Sequence, residues 1–349
     1  MKLNIKKINY YVKKNGTTVL SLSDDRLAFA EAALLKKDCP NDTIEVSMSN
    51  LYEVENPQFF SKSFWCDKKR RTVVANSDAL VADLAAQAAP ANAPWFNTTQ
   101  YSSPVYYADQ STPRVPVWVV QNGVVMSATT IHKELQKGVP IDPSWLPAVG
   151  TDGSIVIIST QENKVWEGWD WRYNEVAKRY EVSWAGILNN FMESNGVFPI
   201  INGEKQGMRA SGLSFLGGLI LPEELEQRYI PHMIAFATQN PKWSYIAPAT
   251  RTDGKQNGAN GLIPAGQIFQ FPADYVPPPN VCPFAHDVLI ALRDFGGIQV
   301  DRSACFTIYG TDPKSLKYDP YLAFYKNLKL WDVMKQIVTE FNKLKAVNF

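Results

Sequence analysis

From Trp95 to about Tyr309 the chain is cut into short apolar runs by turn residues, and a chain so divided leaves room for strands but for few long helices. The runs are Val115 to Val120, Ser154 to Ser159, Lys164 to Tyr173, Tyr180 to Trp184, Met233 to Thr238, Trp243 to Ala247 and Gln267 to Phe271. Between them stand Asn122-Gly123, Asp152-Gly153, Asn202-Gly203 and Asp253-Gly254, residue types that tolerate the backbone of tight turns. Many short strands so punctuated predict a mainly β domain, an antiparallel β-sandwich of jelly-roll type over residues 95–313.

The flanks read differently. Residues 1–75 predict a small α+β module. Ile8, Tyr10 and Val12 alternate toward Asn15-Gly16, and Thr17 to Leu22 return as the second arm of a hairpin. Ser23 can cap a helix reaching Lys37, and strands are expected near Thr43 to Met48 and Arg71 to Val74. Residues 76–94 hold an Ala-rich helix from Asp78 to Ala88 and a linker bounded by Pro90 and Pro94. A further helix is expected from Pro283 to Phe295, stopped by Gly296-Gly297. Residues 314–349 end in an amphipathic helix from about Leu328 to Val347, with Leu330, Met334, Ile337, Phe341 and Leu344 on its apolar side. Such a helix docks on its own domain or holds a neighbouring subunit.

Composition excludes several functions. The formal net charge is +1 with no basic stripe, which argues against nucleic acid, because phosphate contact requires clustered cations. The one dense basic run, Lys68-Lys69-Arg70-Arg71, reads as a solvated turn. No window approaches the ~18 apolar residues of a spanning helix, so membrane insertion is not expected. The N-terminus lacks an apolar signal core. An extracellular chain of this kind leaves the cell without an ordinary signal peptide, has lost one, or belongs to a virion released by lysis. Cys39, Cys66, Cys282 and Cys305 form no CxxC pair; they fit two disulfides, Cys39–Cys66 and Cys282–Cys305, or buried thiols. His132, His232 and His286 lack metal-like spacing, no dinucleotide or phosphate loop is present, and neither metal nor cofactor is expected.

Several stretches between Trp95 and Pro313 carry a resemblance. They include Asn97-Thr98-Thr99-Gln100-Tyr101-Ser102, Gly150-Thr151-Asp152-Gly153, Trp166-Glu167-Gly168-Trp169, Ile230-Pro231-His232, Pro248 to Gly254, Ile263-Pro264-Ala265-Gly266, Val300-Asp301 and Tyr309 to Pro313. In these the chain resembles a family of secreted bacterial proteins, common in actinobacteria, with no assigned function. The resemblance implies an exported, sandwich-like domain and no particular reaction. The N-terminal module and the C-terminal helix depart from it, as expected of a domain adapted to an oligomer or a larger assembly such as a virus or phage particle.

The densest chemistry lies in Val165 to Arg172. Strand alternation puts Glu167, Trp169 and Trp171 on one face and Trp166, Asp170 and Arg172 on the other. Indoles stack on sugar rings while carboxylates accept hydroxyl protons, so Trp166, Glu167, Trp169, Trp171 and, further on, Asp253 are candidate ligand-binding residues for a polysaccharide or cell-surface glycan. A plainer reading makes one face core and the acids structural. Glu167 and Asp170 point apart, which weakens them as a hydrolytic pair. His232 falls on an apolar strand face, where it is either a satisfied core residue or a base. In the second case His232, Tyr245 and Arg251 would serve β-elimination from an acidic glycan: Arg251 neutralises the carboxylate, and His232 and Tyr245 move the protons. The leading expectation is a structural or adhesive surface protein, extracellular or on a virion, with a carbohydrate-binding-type sandwich. The alternative is a polysaccharide lyase.

Overall fold

The computed structural model describes residues 10–14, 17–22, 44–48 and 59–349, except 257–260, 317–318 and 326. The chain divides into two units, Met1–Pro57 and Gln58–Phe349.

In the first unit, strands Tyr10–Lys14, Thr17–Leu22 and Ile44–Met48 form an antiparallel sheet with Tyr10–Lys14 in the middle. Tyr10 lies opposite Leu22 on one side and Met48 on the other, and the register of the hairpin slips after Val12. The Asn15-Gly16 turn and the helix expected from Ser23 to Lys37 lie outside the described residues.

The second unit stacks in layers, and the alternating faces of its strands show why. Strands Gly297–Arg302, Ile234–Thr238 and Thr307–Tyr309 lie inside a six-stranded sheet with Ile268–Gln270, Trp95–Asn97 and Lys345–Val347. From this sheet Ile234, Phe236, Phe269 and Ile308 enter one hydrophobic core, together with helices Ser77–Gln87, Pro283–Asp294 and Leu330–Val338. Ala235, Ala237, Ile298 and Val300 enter a second core, where they meet Val156, Ile158, Val165 and Leu188 of a four-stranded sheet. That sheet orders Trp184–Asn189, Lys164–Trp169, Ile155–Ser159 and Val105–Tyr107. Its other face sends Ile155, Ile157 and Trp166 into a third core with Val117, Val119 and Val182 of another four-stranded sheet. Ile155–Ser159, the sequence IVIIS, is therefore buried on both faces, and this is why it carries no polar alternation.

Strand dominates, but the sheets are mixed rather than antiparallel throughout. Four neighbouring pairs run parallel: Val105–Tyr107 with Ile155–Ser159, Val117–Gln121 with Arg179–Val182, Ile234–Thr238 with Gly297–Arg302, and Trp95–Asn97 with Thr307–Tyr309. A parallel neighbour needs a crossover, and helix Pro283–Asp294 supplies part of one between Ile234–Thr238 and Gly297–Arg302. That helix stops where expected, at Gly296 with φ +95°. Asn122 and Gly123, like Asn202 and Gly203, hold consecutive positive φ, the hairpin geometry their sequence predicts.

Two boundaries differ from expectation. Arg71 to Val74 belongs to the second unit: Val73 bridges Val347, Val74 donates its amide to the Ala346 carbonyl, and Asn348 donates to the Thr72 carbonyl. Nor does the C-terminal helix reach Val347. It spans Leu330–Val338, and a short turn over Phe341–Lys343 leads to the edge strand Lys345–Val347. Pairing Val347 with Ile268 satisfies backbone groups that a longer helix would leave open on a buried sheet edge.

The basic run is solvated at Lys68, Lys69 and Arg70, as expected, but Arg71 is buried. Arg70 donates to the Arg293 and Phe271 carbonyls, Arg71 to the Phe295 carbonyl, and Lys68 pairs with Asp294 at 2.7 Å. Three cations thus gather at the C-terminus of helix Pro283–Asp294, where unpaired carbonyls carry partial negative charge. Cys66, Cys282 and Cys305 are thiols, so the Cys282–Cys305 disulfide is not formed; Cys39 lies outside the described residues.

Candidate functional site

Where the six-stranded sheet and its four-stranded neighbour come to an end, the loops beyond their strands enclose a cleft of about 1030 Å³. Trp169 closes strand Lys164–Trp169, and Trp184 opens Trp184–Asn189 directly opposite it. Both indoles line the cleft, side by side across two paired strands. Trp184 is 45% exposed, Trp95 is 44% and Tyr101 is 42%, so aromatic surface stands at the mouth.

The floor is polar, and its guanidinium is sealed from solvent. Arg209 is 1% exposed, with its guanidinium 4.5 Å from the Phe215 ring centroid and 5.3 Å from that of Tyr309. Its Nη1 donates to the Ser214 and Gly217 carbonyls at 3.0 and 2.7 Å. Nε and Nη2 have no hydrogen-bond partner among the described residues. Asp301 Oδ2 lies 3.5 Å from Nε, an ion-pair distance, while Asp301 Oδ1 accepts the Ala210 amide at 2.6 Å. Burial pushes the Asp301 carboxyl up to about 8; Arg209 opposes this, and the charges of Asp253 and Asp152 add to it. Asp253 accepts the Arg302 amide at 3.0 Å. Burial raises it too, but less, because the Arg302 amide and the guanidinium groups of Arg302 and Arg251 favour its charged form. Burial likewise raises Asp152, against a hydrogen bond from Trp169. Three carboxyl groups and one sealed guanidinium therefore share one wall.

Arg251, expected to neutralise a substrate carboxylate, lines this cleft but is engaged elsewhere. Its guanidinium donates to the carbonyls of Ala210, Gly207 and Arg209 at 3.0, 2.8 and 2.6 Å. It holds the 207–210 loop in place. His232 and Tyr245 do not join it. His232 bonds Glu224 at 3.0 Å and the Met233 carbonyl at 2.9 Å, away from the cleft lining. Burial pulls the imidazole down, and the charge and hydrogen bond of Glu224 more than reverse it, so its pKa is raised. Tyr245 is 51% exposed; the strand expected around it is reduced to a single bridge with Ala265. The three groups of the expected elimination are not brought together.

Among the expected ligand-binding residues, Trp169 and Asp253 line the cleft and the others do not. Glu167 is 1% exposed behind the wall, where the Ser214 hydroxyl and the Phe215 amide donate to it. Burial, outweighing those bonds and Arg209, raises its carboxyl to about 7. Trp166 and Trp171 both sit in the third core. The expected alternation fails at Asp170, whose φ of +57° turns the chain. Trp171 then folds back over Gly168, where an added Cβ would stand 2.7 Å from its ring. Asp170 is drawn away as well, paired with Arg172 at 2.5 Å.

Sequence reasoning did not single out Arg209, Asp301, Asp152 or Trp184 as site residues. Arg209 lies in the Gly-rich stretch 203–218, which carries no ligand spacing. Its glycines serve close packing: a Cβ on Gly217 would lie 2.4 Å from the Trp65 ring, and one on Gly218 would lie 2.4 Å from the Ala235 amide. A charged residue amid packing glycines is the one signal the sequence offers. Among the described residues no cluster of His, Cys, Asp and Glu has a metal-holding arrangement, and no helix is long and apolar enough to cross a membrane. No family model, curated protein or solved structure matches the chain.

Proposed function

We propose that this is a surface protein, extracellular or carried on a particle, that holds a glycan chain in the cleft, with its stacked sheets serving as a carbohydrate-binding-type sandwich. The observation that carries this reading is the cross-strand pair Trp169 and Trp184 at the mouth of a 1030 Å³ cleft with a carboxyl wall. Neighbouring indoles offer two flat apolar faces at about the spacing of adjacent strands, suited to the apolar faces of sugar rings. Asp152 and Asp253 offer acceptors to sugar hydroxyls. Arg251 is committed to backbone carbonyls and Arg209 is sealed, while Lys205 and Arg302 line the same cleft and offset its carboxyl groups, so the balance of charge suits a neutral glycan.

The test is calorimetric titration of the full chain with neutral and uronate-containing oligosaccharides. Binding of a neutral glycan, weakened about tenfold or more in Trp184→Ala, is expected, since one buried stacking contact contributes on the order of 1–3 kcal/mol. Retention of acidic chains alone, or affinity unchanged by the substitution, contradicts the reading.

A further inference from the structure

We infer that the cleft hydrolyses the glycan it holds, with Asp301 as general acid and Asp253 as the carboxylate that takes the proton of the attacking water. This rests on the glycan reading above and adds a reaction to it. The two carboxyl groups converge on the end of one strand. Asp301 belongs to Gly297–Arg302, and Asp253 accepts the amide of Arg302, the next residue along. Their surroundings differ in the way acid and base roles require. Asp301 is held by the Ala210 amide on one oxygen and lies beside the buried Arg209 on the other. Burial and two neighbouring carboxyl groups keep its proton on, while Asp253, with an amide and two guanidinium groups near it, stays ionised more readily. Carboxyl groups whose surroundings push their affinities for a proton apart divide the work of acid and base.

A second observation points into the same place. Arg209 is sealed in the floor with Nε and Nη2 lacking hydrogen-bond partners among the described residues, an arrangement costly to fold unless its charge is used. Beside it, negative charge left on Asp301 after proton donation is stabilised by the buried guanidinium 3.5 Å away.

The step balances without a co-reactant other than water. Water oxygen bonds the anomeric carbon and gives one proton to Asp253. The bond from that carbon to the leaving sugar breaks with its electron pair on the oxygen, which takes the Asp301 proton. Solvent then returns a proton from Asp253 to Asp301, and nothing is oxidised or reduced.

The experiment incubates the full chain with laminarin, xylan, cello-oligosaccharides and chito-oligosaccharides, reading new reducing ends beside calorimetric binding on the same samples. Expected are reducing ends from a bound glycan at a rate that falls as pH rises through about 8. Asp301→Asn and Asp253→Asn each lower that rate about 100-fold or more, the usual share of a positioned acid or base, and Asp301→Asn keeps binding within a few-fold. A glycan bound but never cleaved overturns hydrolysis and leaves the binding reading standing; no glycan bound overturns both. A wild-type rate in Asp301→Asn removes the acid assignment. Should that variant fail to fold, the high-pH limb of the wild-type profile decides, and its absence refutes the role.

Discussion

Replacing Asp301 by Asn should make the protein harder to unfold at neutral and alkaline pH, the mark of a residue kept for work rather than for stability. The folded carboxyl is pushed up to about 8, whereas in the unfolded chain it titrates near its ordinary value of about 3.9. The sign follows from proton counts. Below the ordinary value both states hold the proton and no cost arises. Between the two values the unfolded chain has released it and the folded chain retains it, so wild-type stability falls by about 1.4 kcal/mol per pH step. By pH 7 the loss amounts to about 4 kcal/mol, and above about pH 8 it levels off. An amide at this position never titrates, and its oxygen can still accept the Ala210 amide now bonded at 2.6 Å. Urea denaturation of wild type and Asp301→Asn at pH 4, 7 and 9 measures the difference. The curves should lie together at pH 4 and separate in favour of Asn by several kcal/mol at pH 7 and 9. A variant less stable than wild type at every pH would mean that ionised Asp301 stabilises Arg209, and the reasoning would fail.

Trp65 is fully buried, yet its indole N–H has no partner among the described residues. Trp65→Ala should cost about 3–5 kcal/mol by denaturant titration, whereas Trp65→Phe should cost about 1 kcal/mol or less, because removing the unsatisfied donor offsets the lost ring. His232, raised by Glu224 against the pull of burial, should stabilise the fold fully below about pH 6.5 and lose that contribution as pH rises through its folded value. An NMR titration showing the ring to titrate below 6.5 would contradict this. Removing residues 345–349 strips the edge strand from Ile268–Gln270 and leaves the side-chain amide of Gln267 without the Val347 carbonyl. The shortened chain should lose several kcal/mol of stability and self-associate through the opened edge; a monomer of unchanged melting temperature in light scattering and calorimetry argues otherwise.

What could be read from the sequence was local. Asn122-Gly123 and Asn202-Gly203 announced their turns because few other residues accept left-handed backbone cheaply. Pro283 and Gly296 bracketed their helix for reasons confined to its two ends. Trp169 keeps the position that alternation along an unbroken strand predicts, and Trp171 was misplaced because one positive φ at Asp170 ends that strand. Parallel pairing left no trace, since the register between Ile234–Thr238 and Gly297–Arg302 is decided by a crossover of nearly sixty residues rather than by either strand. The C-terminal stripe fitted a helix throughout, because Leu344, Ala346 and Val347 are buried whether they lie on a helix or on a sheet edge. The cleft was the least legible part. Asp152, Arg209, Asp253 and Asp301 come from four separate loops and strand ends, and a sequence carries no distance between them.

Arg251 reaches three carbonyls of the 207–210 loop, and Asp301 takes the amide of the same loop. Three separate segments of the cleft wall are thereby knotted before any visitor arrives. The ordering cost falls on folding, so a bound chain should leave local backbone hydrogen exchange nearly unchanged and surrender little of its affinity to stiffening the host. Selectivity then rests with the visitor: a rigid or ready-shaped sugar chain is welcomed, and a floppy one must bear the whole loss of freedom itself.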